Sequence, residues 1–360
     1  MPVQLPVKER SDLEVSENNE LIAPSIVDSL PLPLVLWLAS PYLAGKSVDD
    51  AIRKAHQLFE ESRFTSTIDI LGEDSTSEAD CDRFVEAYRK AIDAAAKNPI
   101  AARTPAEAIT ISFKPSSFSA VVPTDESAEG NRMLAEAYYR IKTVVDYAKQ
   151  LGVRMTIEAE DHRWTDFHLE TYFSLLNEGY DNLGTVLQSR LFRTKHDLKR
   201  FDERCRVRMV IGIYNEPADV AQTQLPMMKE LLIDYAGELA SRGTYVELAS
   251  HDEQCVKNFF TRVAIPQKLP ASRFETQWLL GVPRKDVQQA LVSGSYFSAL
   301  AQEAPSTVLD YLSELAHTGV IARMYLPYGK DAVAGPYCKR RLRANPHMIS
   351  YGIKNFLHLR

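Results

Sequence analysis

Residues 65–113 read TSTIDILGEDSTSEADCDRFVEAYRKAIDAAAKNPIAARTPAEAITISF. The run Thr65–Leu71 alternates short polar with β-branched and apolar residues, as a strand does. Asp80–Lys97 then repeats apolar residues at helical spacing behind a Ser and several acids, and Ala108–Phe113 returns to strand chemistry. Two strands separated by a helix must lie parallel, because the crossover returns the chain to the same end of the sheet.

The same alternation continues outward. Further β-rich runs are Val153–Ile157, Gly184–Leu187, Val207–Ile213, Tyr245–Ala249, Arg273–Leu279 and Ile321–Leu326. Between them lie the helix-like segments 131–150, 165–177, 193–205, 227–241, 252–263, 284–294 and 304–317. Eight strands with eight interleaved helices predict an α/β fold, a closed (β/α)8 barrel of the TIM type. The alternative is an open doubly wound sheet. Such a sheet would want a GxGxxG turn after its first strand, and LGEDST stands there instead.

Upstream, residues 1–28 are polar and mixed in charge and read as a mobile tail. Residues 29–63 read as an N-terminal helical arm and 64–360 as the barrel. Within the arm, Ser47 caps an amphipathic helix with apolar residues at Ala51, Ala55, Leu58 and Phe59. The apolar stretch Leu30 to Leu43 carries Pro31, Pro33 and Pro41 and is shorter than the about 20 residues of a membrane span. It reads as a short helix packed on the domain, and it is compatible with peripheral contact at a membrane surface.

With 360 residues, 45% of them apolar and 25% charged, the composition is that of an ordinary globular protein. A net charge of −6 argues against nucleic acid as a partner, since a polyanion needs a basic footprint. The cysteines Cys81, Cys205, Cys255 and Cys338 form no CxxC pair, so neither a zinc site nor a disulfide framework is expected. With no secretory leader apparent, the expected location is the cytoplasm.

In such a barrel, chemistry collects where the strands end. The residues there are Asp69 and Glu73, Lys114, Glu158 with Glu160 and Asp161, Gln188, Arg208 ahead of Gly212 and Tyr214, His251, Gln277 and Tyr325. Only His251, and less directly His162, stands where a barrel metal ligand would, so no catalytic metal is expected. Taken singly, each acid or lysine reads equally well as a solvated loop residue, and each glutamine as a partner for backbone groups. Their joint placement favours a surface that binds an anionic heterocycle. Past the eighth run, Tyr337, Arg340 and Arg341 fall at i, i+3 and i+4, on one face of a helix. Two neighbouring guanidiniums can grip a carboxylate, with the phenol ring as a wall. A solvated basic helix end would look the same.

These motifs together resemble the proline dehydrogenase family. YxxRR at Tyr337–Arg341 follows a Y-x-P-x-G element at Tyr325–Gly329, preceded in order by IDILGE, SFKPSS, IEAED, VLQSRL, RMVIGIY, ASHDE and FETQWLLG. The resemblance implies a flavoenzyme that uses FAD to oxidise L-proline to 1-pyrroline-5-carboxylate and hands the electrons to a quinone or other acceptor. It implies that Arg340, Arg341 and Lys114 bind the substrate carboxylate. Tyr337, Tyr325 and Leu279 would wall the ring, and Asp69 would join the nearby ion-pair network. For the FAD it implies Gln188, Arg208, Val210, Gly212, Ser250, His251 and Gln277, with Glu158 and Tyr214 as further active-site residues. Glu158 stands where the family often has Asp, and Ile211 where many members have a lysine near the cofactor. At this length an added aldehyde dehydrogenase module is not expected, so the imine would pass to a separate pyrroline-5-carboxylate dehydrogenase. Hydroxyproline or another cyclic imino acid is an alternative substrate, and a non-catalytic barrel that binds an amino acid is a further alternative.

Overall fold

The computed structural model describes residues 30–72 and 74–344, with the backbone alone at 332, 336, 340, 341, 343 and 344. The expected tail over 1–28 and the strand-end acid Glu73 lie outside the described residues.

Eight parallel strands close into a barrel in sequence order: β1 Thr65–Ile70, β2 Thr110–Phe113, β3 Met155–Ile157, β4 Leu183–Gln188, β5 Arg206–Val210, β6 Tyr245–Ala249, β7 Phe274–Leu279 and β8 Ala322–Tyr328. Closure is made by β1 on β8, in register from Thr65 against Arg323 to Ile70 against Tyr328. The open-sheet alternative is therefore set aside. Outside the strands, helices bury one stripe each. Tyr88, Ile92 and Ala95 of Glu78–Lys97 face inward at helical spacing, as do Ile141, Val145 and Ala148 of Ala128–Gln150.

Before the barrel, the helix Val48–Ser62 opens with a capping box: Ser47 Oγ accepts from Asp50 N and the Asp50 carboxylate accepts from Ser47 N at 3.0 Å. Pro31 and Pro33 sit at the start of the helix Leu32–Ala39, where a missing N–H leaves no hydrogen bond broken. This helix lies against the final helix, Asp331–Ala344. Its Val35 and Leu38 share an apolar cluster with Leu279, Cys338 and Leu342, and Tyr325 and Tyr337 pack on that cluster. Among the described residues no helix is long and apolar enough to cross a membrane.

Three expectations need correction. Residues 193–205 are not one helix: α-helical turns end at Asp197, a 3-10 turn ends at Arg200, and Phe201 is extended. Phe201 leaves the helical path to pack its ring 5.0 Å from Phe173 and 6.1 Å from Tyr172. Between β7 and β8 the helices Lys285–Ser293 and Leu309–Thr318 are joined by a third, Ser295–Ala301, whose Phe297 is fully buried. The fifth strand stops at Val210 rather than Ile213, because Gly212 turns to φ +105°.

Inside the barrel the packing is polar. Side chains of non-adjacent strands meet there, as Arg206 of β5 and Thr156 of β3 do at 3.2 Å, which only the lumen allows. At the lower level Arg206 of β5 reaches Glu247 of β6 at 2.5 Å, and Arg323 of β8 reaches Glu275 of β7 at 2.6 Å. Room for the Arg206 guanidinium comes from Gly184 of β4, where a Cβ would stand 2.6 Å from Arg206 Cζ.

Candidate active site

One level nearer the C-terminal mouth, a single hydrogen-bonded chain links most of the predicted residues. Lys114, just past β2, donates Nζ to both oxygens of Asp69 on β1, at 3.0 and 3.1 Å. Ser112 Oγ lies 3.3 Å from Asp69 Oδ1 and 3.2 Å from the Tyr325 hydroxyl. Tyr325 donates to Glu158 at 3.2 Å, and the same carboxylate oxygen accepts from Arg208 Nη1 at 2.5 Å. Arg208 Nε donates to Gln277 at 2.5 Å, and Gln277 Nε2 donates down to Glu247 at 2.7 Å and to Glu275 at 2.6 Å. The groups at the mouth are thus tied to the lower ion pairs.

Opposite charges pair within this lumen. Lys114, Arg206, Arg208 and Arg323 face Asp69, Glu158, Glu247 and Glu275. Burial alone would raise the Glu247 carboxyl, but Arg206, Arg208 and Arg323 outweigh it and hold the group down to about 2. For Asp69 the balance goes the other way: burial, reinforced by the charge of Glu158, raises the carboxyl despite Lys114. Burial opposes charge on Arg208 too, yet Glu158 and Glu247 keep its guanidinium more firmly protonated than usual. Burial and the neighbouring carboxylates raise the Tyr325 phenol, so it stays a donor.

One donor in this array is idle. Arg208 Nη2 is buried and has no hydrogen-bond partner among the described residues. A guanidinium N–H in that condition suits an acceptor brought by a ligand. Beside it, Gln188 and Val210 are register partners at the ends of β4 and β5, and Gly212 lies just beyond. A Cβ at Gly212 would stand 2.5 Å from Gln188 Oε1 and 2.9 Å from Arg190 Cδ. An acceptor-seeking guanidinium at this mouth is a fit for the edge of a planar heterocycle, as a flavin would present.

The remaining predicted residues divide. Leu279 and Tyr337 meet in the apolar cluster beneath the arm helix, and Tyr325 packs on it. Gln188 also satisfies the plain reading, since its Nε2 donates to the Glu160 backbone carbonyl at 2.7 Å. Ser250 and His251 stand on the rim after β6: Ser250 Oγ accepts from Asp252 N at 3.2 Å, and the His251 ring lies 6.2 Å from that of Trp278. Tyr214, also on the rim, gives its carbonyl to Arg190 at 2.5 Å. Arg340 and Arg341 lie on the final helix as expected, and their side chains are outside the described residues. Asp161, named at the end of β3, is tied to Arg163 at 2.6 Å and His162 to Glu216 at 2.6 Å, local pairs that do not enter the chain.

Sequence reasoning missed Ser112, Glu247, Glu275, Arg206 and Arg323. For the charged residues the signal was present: RVRMV, YVELA, FETQWL and ARMYLPY each carry a charge within a strand-like run. A buried strand carries such a charge only if it faces a partner inside the lumen.

Gly212→Ala is expected to lower stability by about 1–3 kcal/mol, since the new Cβ meets both an unfavourable φ and the Gln188 amide. Urea unfolding of the two proteins checks it, and an unchanged midpoint would remove Gln188 and Gly212 as a fitted pair.

The family model for proline dehydrogenase matches residues 51–216. Proline dehydrogenase of Deinococcus radiodurans is 29% identical over 325 residues, which cover 89% of this chain and 91% of the relative. Proline dehydrogenase 1 of Bacillus subtilis is 28% identical over 325 residues, covering 89% of this chain and 90% of that one. Among solved structures, proline utilization A from Bdellovibrio bacteriovorus superposes with a TM-score of 0.68 at 18% identity, and this speaks for the fold alone. The alignment covers 85% of this chain but 32% of that one, so the chain spans about a third of the longer protein. Along nearly all of its length this chain is thus similar to proline dehydrogenases, and its parallel barrel joins Lys114, Asp69, Tyr325, Arg208 and Gln277 at the mouth.

Proposed function

We propose that the chain oxidises L-proline to 1-pyrroline-5-carboxylate with FAD bound across the mouth of the barrel, and that the electrons pass on to a quinone or another acceptor. The observation that carries this reading is the unpartnered Nη2 of Arg208, aimed from the centre of the bonded chain with no acceptor of its own. FAD bound there would accept the hydride that leaves the ring carbon next to the proline nitrogen.

The protein's part is to hold and to polarise. Arg208 is fixed on two sides by Glu158 and Gln277, so its free N–H is oriented before any ligand arrives. That arrangement stabilises negative charge developing at the acceptor. Lys114, locked on Asp69 at 3.0 Å, adds a cation for the substrate carboxylate, joined by Arg340 and Arg341 from the final helix. Tyr325, Tyr337 and Leu279 form an apolar wall that excludes water from the ring. Ring nitrogen must lose its proton for the imine to form, so turnover is expected to rise with pH. The imine then serves a separate dehydrogenase.

The test is the visible spectrum of the purified protein without oxygen. Flavin absorption that bleaches on addition of L-proline, and more slowly or not at all with hydroxyproline, is the expected result. A colourless protein that stays colourless after FAD is supplied would reject the reading and favour a binding barrel.

A further inference from the structure

A cation on the β4–β5 rim, the arginine of VLQSRL, has no role in the site described above. Arg190 lies in the turn two residues past Gln188, and both side chains lie against Gly212, where an added Cβ would meet Gln188 Oε1 at 2.5 Å and Arg190 Cδ at 2.9 Å. Main-chain pairing continues there past the strand ends, with Ser189 N bonded to Val210 O at 2.7 Å and Arg190 N to Ile211 O at 3.2 Å. The arginine stem lies across bare Gly212, where a Cβ would be 2.9 Å from Cδ and 3.2 Å from Cγ.

At the end of that stem the guanidinium is only partly used. Nη1 donates to the Tyr214 carbonyl, while Nε is buried without a hydrogen-bond partner. Among the described residues Arg190 forms no salt bridge. Its nearest influential carboxylate, Glu216, is taken by His162, which donates its backbone N–H at 3.0 Å and lies 2.6 Å away through Nδ1. Burial accordingly weakens the hold of Arg190 on its proton. A part-buried cation with an idle N–H and no counter-ion is unfavourable until an anion reaches it.

We propose that Arg190 is an anion-binding residue of the cofactor site, donating Nε–H to a phosphoryl oxygen of the dinucleotide. This rests on the flavin reading above. Phosphate is favoured over the flavin ring by position: Gly212 is four residues beyond Arg208, on the order of 10 Å along the chain toward solvent. A dinucleotide with its ring at Arg208 therefore carries its phosphates to the level of Arg190. The residue after Val210 is the uncharged Ile211, so the positive charge at this level comes from the neighbouring strand end.

FAD and riboflavin titrated into the deflavinated full-length protein, followed by quenching of flavin fluorescence, test the proposal. Arg190→Met is expected to weaken FAD roughly ten- to hundredfold, the range of one charge-assisted hydrogen bond. Riboflavin, which lacks phosphate, should bind the variant as it binds the parent, and Arg190→Lys should recover part of the FAD affinity. If Arg190→Met does not fold by circular dichroism, Arg190→Gln is read in its place, with the same expectation. Unchanged FAD affinity, or equal weakening of FAD and riboflavin, would overturn the assignment. A parent protein that binds neither ligand would instead reject the flavin reading on which it rests.

Discussion

Arg208→Met is expected to yield a protein without flavin colour whose unfolding free energy is lower by about 3–5 kcal/mol, the cost of leaving buried charge unpaired. The two effects share one cause. Arg208 is 4% exposed and sits 2.5 Å from Glu158 and 3.7 Å from Glu247, so methionine fills the space but abandons both carboxylates in a dry lumen. Removing the guanidinium also removes the idle Nη2, and with it the donor offered to the cofactor. Acid should expose the same loss. A carboxyl held low in the folded state lends stability above its unfolded pKa and gives it up as pH falls through the folded value. For Glu247 that window runs from about 4.5 down to about 2. With one of its three guanidiniums gone, its folded value rises toward 4.5 and that contribution shrinks, so the variant should unfold at higher pH than the parent. Urea titrations at pH 7 and along the acid limb measure both. A variant within about 1 kcal/mol of the parent would show that the lumen relaxes or admits water, and the buried chain would lose its meaning.

Arg208 was legible in the sequence, but the reason for its importance was not. The strands could be read because each run of β-branched and apolar residues is followed by a helix with its own stripe, and β6 agrees with the expectation residue for residue. Boundaries failed where a tertiary contact decided them, as at Phe201, whose ring stacks on residues of another helix, and at Gly212, whose φ ends β5 early. Asp69, Lys114, Glu158, Gln277 and Tyr325 could be named because they are polar residues at or near strand ends. Which of them touch could not be read, because contacts such as Tyr325 to Glu158 join β8 to the end of β3 across the barrel. Strand order fixes neighbours along the wall, whereas partners across the lumen depend on its diameter and stagger. The lower pairs escaped for a related reason: one glutamate in YVELA is unremarkable until an arginine is found facing it.

Arg340→Lys is expected to raise the Michaelis constant for L-proline about ten- to hundredfold while the protein keeps its flavin. The final helix, Asp331–Ala344, is anchored by Cys338 and Leu342 against the arm helix, and Tyr337 lies in the same cluster as Leu279. With that face fixed, positions 340 and 341 stand three and four residues from Tyr337, on its side of the helix. Arginine can meet a carboxylate with two parallel N–H groups, and lysine cannot reproduce that fork although it keeps the charge. The substitution therefore separates geometry from electrostatics. Pyrrolidine, which is proline without its carboxylate, supplies the control: a poor substrate for the parent, it should be oxidised equally well by the variant. A rise confined to proline identifies the carboxylate as what Arg340 holds. Equal losses for both compounds would mean that the lysine disturbs the helix or the ring pocket, and unchanged kinetics for both would take Arg340 out of the site and leave Lys114 as the carboxylate's cation.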